Sequence, residues 1–298
     1  MTSTACGKII LFGEHAVVFG ADALAASLSP GAACDARPSS MGSTLSVAPW
    51  GSTFVPGDGS ELGRAVGLLV EAMGSGDAAL SLTLHLPGGG GLGSSAAMGV
   101  ACARALAEMG GRTLTDEALL GYALGWEKVF HGNPSGVDHT LAALGGVGLF
   151  NRADGFRRVA TRGPLRLCLG DSGERASTRE MVDGVARLRE RRPEAVERAV
   201  EAIGVIARNG ALALQAGDAR GLGELMDLNQ NLLATLLVST ERLEDLCASA
   251  RSSGALGAKL TGAGGGGCVI ALAPGREQEV LRGWKALGAD GRIVEVGR

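Results

Sequence analysis

Apolar and polar residues alternate from Ser81 to Leu86 with the two-residue period of a strand. From Ser94 to Met109 the chain is Ala-rich with only Gly99 interrupting, which predicts a helix capped by Ser94 or Ser95. Thr115–Phe130 predicts a second helix, with Thr115 as N-cap and Leu119, Tyr122, Ala123, Trp126 and Phe130 at helical spacing. Asn133 then Pro134 predicts an N-cap and a first helical position, opening a helix through Ser135 to Leu144 that Gly145-Gly146 stops. Val147–Phe150 reads as a strand. Beyond Arg162-Gly163-Pro164 the pattern changes to a strand at Leu165–Leu169, then helices at Ser177–Arg191, Pro193–Ala216, Gly221–Leu237 and Thr240–Ser252. The chain finishes with Gly257–Thr261, a strand at Cys268–Leu272, a helix at Glu277–Leu287 and a strand at Arg292–Val296. A boundary near Pro164 divides it into residues 1–163 and 164–298.

Composition narrows the class. The 298 residues are 46% hydrophobic and 20% charged, with 28 Lys plus Arg against 31 Asp plus Glu and a net charge of −3. That balance suits a soluble globular protein and argues against a nucleic-acid partner. Glycine supplies 49 residues and proline only 9, so the excess glycine belongs to loops rather than a disordered linker. The six cysteines never form a Cys-x-x-Cys pair, so neither a zinc knuckle nor a disulfide framework is indicated, and a reducing cytosol fits. The longest uncharged stretch, Ala78–Ala103, is broken by Pro87 and successive glycines, leaving no apolar segment of ~20 residues for a membrane. The apolar run Ile9–Phe12 is too short for a signal peptide, so a cytoplasmic location is expected. Trp50, Trp126 and Trp284 read as packing residues.

Glycines cluster near Gly7–Gly20, Gly88–Gly93 and Gly262–Gly267. The central cluster, Gly88-Gly89-Gly90-Gly91-Leu92-Gly93-Ser94-Ser95-Ala96, leaves its backbone amides unobstructed and leads into a helix N-terminus, a phosphate-binding arrangement. No Lys follows the last glycine, which excludes a Walker A loop. Gly-x-Gly-x-x-Gly is satisfied by any run of glycines, and the only acidic residue about 20 positions on, Glu108, lies on a helix, so a dinucleotide-binding unit is a weak reading.

Three segments together carry a resemblance: Gly7-Lys8-Ile9-Ile10-Leu11-Phe12-Gly13-Glu14-His15-Ala16-Val17-Val18-Phe19-Gly20, Gly91-Leu92-Gly93-Ser94-Ser95-Ala96-Ala97, and Lys259-Leu260-Thr261-Gly262-Ala263-Gly264-Gly265-Gly266-Gly267-Cys268. The chain resembles the GHMP kinases. Within that superfamily Gly13–Val18, Glu127 through Asp138, and Met226-Asp227-Leu228-Asn229-Gln230 look most like the mevalonate kinase branch. The resemblance implies an α+β fold of two domains, the first with a left-handed β-α-β unit and the second ferredoxin-like. It also implies transfer of the γ-phosphate of ATP to the 5-hydroxyl of mevalonate with Mg2+, and a homodimer. Cys6, Asp22 and Leu237 depart from it, standing where Pro, Pro and Gly are common.

Residue roles come from the same match. Asp138, in the first turns of a helix whose dipole favours its anion, is the candidate base. Lys8 is placed beside the reacting hydroxyl; a strand-edge lysine is usually solvated, but Ile9–Phe12 buries the chain just after it. Glu127 matches the family's acidic magnesium ligand and is expected to pair with Ser95 on the metal, with Ser94 as the alternative hydroxyl, an oxygen set that suits that ion. Glu14, His15, Thr178 and Gly264 are implied on the acceptor side, although Ser177 or Thr178 also reads as a simple cap. Asn229 and Gln230 read as helix-surface or core hydrogen-bonders. Rival readings are a GHMP-type kinase acting on homoserine, a sugar or phosphomevalonate, a non-catalytic ligand sensor of the same fold, and an NAD-binding oxidoreductase.

Overall fold

The computed structural model describes residues 2–86, 90–131 and 134–297. Its strands are β1 (Ser3–Phe12), β2 (Ala23–Pro38), β3 (Thr44–Ala48), β4 (Ser52–Phe54), β5 (Ala78–Leu84), β6 (Val147–Asn151), β7 (Gly155–Arg158), β8 (Leu165–Asp171), β9 (Gly257–Thr261), β10 (Cys268–Leu272) and β11 (Asp290–Val296). Its helices are α1 (Glu61–Met73), α2 (Ser94–Met109), α3 (Asp116–His131), α4 (Val137–Leu144), α5 (Thr178–Arg191), α6 (Pro193–Ala216), α7 (Ala219–Thr235), α8 (Glu241–Ser252) and α9 (Glu277–Ala286). Two compact units interleave along the chain: residues 1–8, 29–87 and 93–145 form one, and 9–28, 88–92 and 146–298 the other.

In the first unit β4 pairs antiparallel with β3, β3 runs parallel to β5, and β5 pairs antiparallel with residues 32–38 of β2. The β3–β5 crossover contains α1, whose N-cap Ser60 accepts from the Gly63 N–H at 2.9 Å and whose end is Gly74 in the left-handed region. Helix α2 packs on β5, α3 and α4. Gly99 has its reason there: a Cβ would stand 2.5 Å from Cγ of the buried Trp126 on α3.

The second unit holds β8, β9, β10 and β11 as an antiparallel sheet in the order β11-β8-β10-β9. With α5–α8 following β8 and α9 preceding β11, this is the β-α-β-β-α-β ferredoxin-like arrangement. Its core gathers Cys168, Leu233, Leu243, Leu246, Leu260, Val269 and Trp284, with Trp284 donating its indole N–H to the Leu246 carbonyl at 2.8 Å. Residues 23–26 of β2 pair with β6, which pairs with β7.

Three expectations are corrected. The cap of α2 is Gly93 at φ +74°, so Ser94 and Ser95 are the first two helical residues and not caps. Helix α4 begins at Val137, because Gly136 at φ +103° cannot continue a helical backbone; Pro134 and Ser135 precede the helix, and Asn133 lies outside the described residues. Trp50 is 43% exposed, meeting Phe54 edge-on, whereas Trp126 and Trp284 are buried as expected.

Candidate active site

Four of the expected site residues converge in the first unit. Strand β1 loses its alternation after Cys6 and is buried on both faces, which draws Lys8 inside at 4% exposure. Its ammonium lies 3.3 Å from Oδ1 of Asp138, the second residue of α4, where the helix N-terminus favours a carboxylate. Gly93 ties this pair to the start of α2: a Cβ there would stand 2.9 Å from Lys8 Cγ and 3.4 Å from Asp138 Oδ1. At the next turn Ser95 donates its hydroxyl to Glu127 Oε1 at 2.6 Å.

Glu127 is 1% exposed, so it is no surface charge. Burial, and then repulsion from Asp138, push its carboxyl up to about 7, against the opposing pull of the Ser95 hydrogen bond and Lys8. His131, one turn on, stands 3.8 Å from Glu127 Oε2. Gly88 and Gly89 of the expected phosphate loop lie outside the described residues, while Gly90, Gly91, Leu92, Gly93 and Ala96 lead into α2 with Leu92 and Ala96 buried.

The remaining expected residues lie in the second unit. His15 is 5% exposed, and its Nε2 stands 2.7 Å from the Ala263 carbonyl. A carbonyl only accepts, so Nε2 carries the proton; burial lowers the ring's pKa, keeping it neutral, and Nδ1 is a bare lone pair with no partner among the described residues. Glu14 is fully buried and paired with Lys259, a residue to which the sequence motifs assign no role. Its signal is a lysine in a short strand, Gly257–Thr261, whose every residue is buried. Asn229 and Gln230 are core hydrogen-bonders: Asn229 donates to Glu14 Oε2 at 3.3 Å, and Gln230 accepts from the Leu260 N–H at 2.9 Å. Thr178 is the exposed first residue of α5, with Ser177 as the cap. Gly264 sits at φ +76°, where a Cβ would collide with the Val238 carbonyl at 2.1 Å.

Two of the three departures also find an explanation. Asp22 accepts from Arg208 at 2.9 Å and faces Arg157 at 3.7 Å. Leu237 adopts φ +60° with its side chain 72% exposed, a glycine backbone occupied by leucine.

Residues 61–146 match the family described as GHMP kinases N terminal domain, and residues 211–290 match GHMP kinases C terminal. The mevalonate kinase of Pyrococcus horikoshii is 35% identical, over 99% of this chain and 95% of that protein. That of Aeropyrum pernix is 37% identical over 96% of this chain and 91% of that protein. The structure of L. major mevalonate kinase in complex with R-mevalonate superposes with a TM-score of 0.85 at 32% identity, covering 99% of this chain and 95% of that one. With both family regions matched and full-length relatives above 30% identity, the chain belongs to the GHMP kinases.

Proposed function

We propose that the chain is a mevalonate kinase, transferring the γ-phosphoryl group of ATP to the 5-hydroxyl of mevalonate to give 5-phosphomevalonate and ADP. The observation that carries this is the ion pair of the buried Lys8 with the half-buried Asp138 beside the start of α2, in a chain whose full-length relatives bear that name. Phosphoryl transfer needs positioning and charge stabilisation more than covalent help. Asp138 accepts the hydroxyl proton as the oxygen attacks the γ-phosphorus, and the Lys8 ammonium orients that carboxylate and offsets charge on the transferred group. The amides of Gly93, Ser94 and Ser95 at the start of α2 hold phosphate oxygens.

Ser95 and Glu127 fit magnesium. They present a hydroxyl and a carboxylate at 2.6 Å, and a cation there would relieve the repulsion between Glu127 and Asp138. An ion held by these two side chains would take its remaining ligands from a triphosphate. Bound there, it would neutralise the phosphates and stabilise the leaving ADP. On the acceptor side His15 offers its Nδ1 lone pair to a hydroxyl donor, with Glu14, Thr178 and Gly264 supporting the loops around it. The family's two halves are assigned to residues 1–163 and 164–298, and a cytoplasmic homodimer belongs to the same reading. No helix of the described residues is long and apolar enough to cross a membrane.

The test is ADP release with ATP and magnesium across mevalonate, homoserine, galactose and 5-phosphomevalonate. Turnover with mevalonate alone is expected. Turnover with another acceptor instead keeps the kinase and removes the substrate; ATP binding without turnover on any of them favours a sensor.

A further inference from the structure

Glu14 and Lys259 are both fully buried, yet neither enters the phosphoryl-transfer step. Two charges taken wholly out of water are retained only where their remaining hydrogen-bonding capacity is met. Lys259 donates to Glu14 Oε1 and, at 2.6 Å, to the Leu260 carbonyl, while Asn229 donates to Glu14 Oε2 at 3.3 Å. The Leu260 N–H is held by Gln230, and the Thr261 hydroxyl both donates to the Ile10 carbonyl at 2.9 Å and accepts from the Ile10 N–H at 3.1 Å. Strand β1 is thereby fastened to β9 at Ile10, four residues before Glu14.

The backbone just after Glu14 is strained. His15 has φ +61° and ψ −45°, and the Ala16 N–H reaches back to the Glu14 carbonyl at 2.7 Å. That is the γ-turn of positive φ, rare because it is strained, and such a turn persists only where its surroundings over-determine it. On one side the constraint is the Glu14 carboxylate in its lysine; on the other it is the Ala263 carbonyl, which holds Nε2.

We propose that Lys259, assisted by Asn229, is a positioning residue. Its ammonium fixes Glu14, which holds His15 in the γ-turn with Nδ1 bare for an acceptor hydroxyl. Glu14 acts through His15 and does not touch the acceptor, since its carboxylate has no exposed surface. This deepens the kinase reading and rests on it.

The experiment compares full-length wild type with Glu14→Gln, Lys259→Met and the double variant, measuring the thermal midpoint, kcat and both KM values. Each single variant leaves one buried charge unpaired and lowers the midpoint. The double variant leaves none and recovers it. Its KM for mevalonate nevertheless rises about tenfold or more, as the strained turn depopulates, with kcat and the KM for ATP within about threefold of wild type. Recovery of the mevalonate KM together with the midpoint would mean the pair only stabilises the fold and would overturn the proposal. If the double variant does not fold, Asn229→Leu, which leaves the charges paired, is expected to raise the same KM by a smaller factor, and an unchanged KM would overturn it equally. The 15N signals of the His15 ring, assigned with a His15→Gln spectrum, give a readout independent of turnover. The Nε2 proton, held by the Ala263 carbonyl, is expected to be protected from solvent exchange in wild type and to exchange rapidly in the double variant, and unchanged protection there contradicts the proposal. A wild type silent on mevalonate would instead remove the functional reading and leave the ring measurement standing.

Discussion

Replacing Glu127 by Gln should make the metal-free protein more stable at pH 8 while impairing it as an enzyme. The carboxyl titrates at about 7 in the folded chain against 4.5 in the reference state, because burial and Asp138 both disfavour its anion. A pKa raised on folding contributes stability that is fully present below 4.5 and lost as pH rises through about 7. At ~1.4 kcal/mol per pH unit, the anion costs the native state about 3 kcal/mol by pH 8. Glutamine keeps an oxygen for the Ser95 hydroxyl and carries no charge, so it removes that cost. For a chain of this length the gain corresponds to about 6 °C in thermal midpoint, at ~2 °C per kcal/mol. The assay is thermal unfolding in chelator at pH 5 and pH 8, with variant and wild type side by side. The midpoints should nearly coincide at pH 5 and separate at pH 8 in favour of the variant. A variant that is equal or less stable at pH 8 would refute the claim that Glu127 is an anion held at a cost. The same variant should need more magnesium for half-maximal activity.

Other expectations rest on single contacts. Asp138→Asn should lower kcat by ~10²–10⁴, the usual worth of a positioned base, with ATP affinity measured by calorimetry nearly unchanged. A near-wild-type kcat would remove Asp138 as the base. Gly93→Ala places a Cβ 2.9 Å from Lys8 Cγ at φ +74°, so it should cost about 1–2 kcal/mol of stability in denaturant titration and reduce kcat by displacing Lys8. Leu237→Gly should stabilise by about 0.5–1 kcal/mol. Leu237 lies just beyond α7, where the Val238 N–H reaches the Leu233 carbonyl and the Leu237 N–H reaches that of Ala234, the pairing that selects glycine.

Elements with sharp punctuation were legible in the sequence. Pro193 and Gly217 bracket α6, Thr240 caps α8, and the Ala-rich run of α2 has the predicted span, so local chemistry and tertiary packing agree there. The first eighty residues were less legible. Strand β2 runs through Ala-Leu-Ala-Ala-Ser-Leu with no alternation, because that part is buried on both faces. Helix α1 has no counterpart among the predicted elements, although Leu62, Ala65, Val66, Leu69 and Met73 stand at helical spacing behind the Ser60 cap. The opening of α4 was misplaced because Pro134 suits a first helical position locally, while Gly136 at φ +103° decides where the helix begins. At the site, Lys8, Ser95, Glu127 and Asp138 stand out from the motifs, yet only the fold shows Lys8 within 3.3 Å of Asp138 and Glu127 without solvent. The role of Lys259 is not legible in its motif, since its partner Glu14 lies 245 residues away in the chain.

The most direct measurement of the central claim is phosphorus and proton NMR of the product formed from ATP and mevalonate by the purified chain with magnesium. One phosphomonoester on the 5-oxygen of mevalonate should accumulate for each ADP released. Release of ADP with inorganic phosphate alone, or a phosphate on any other oxygen, would contradict it.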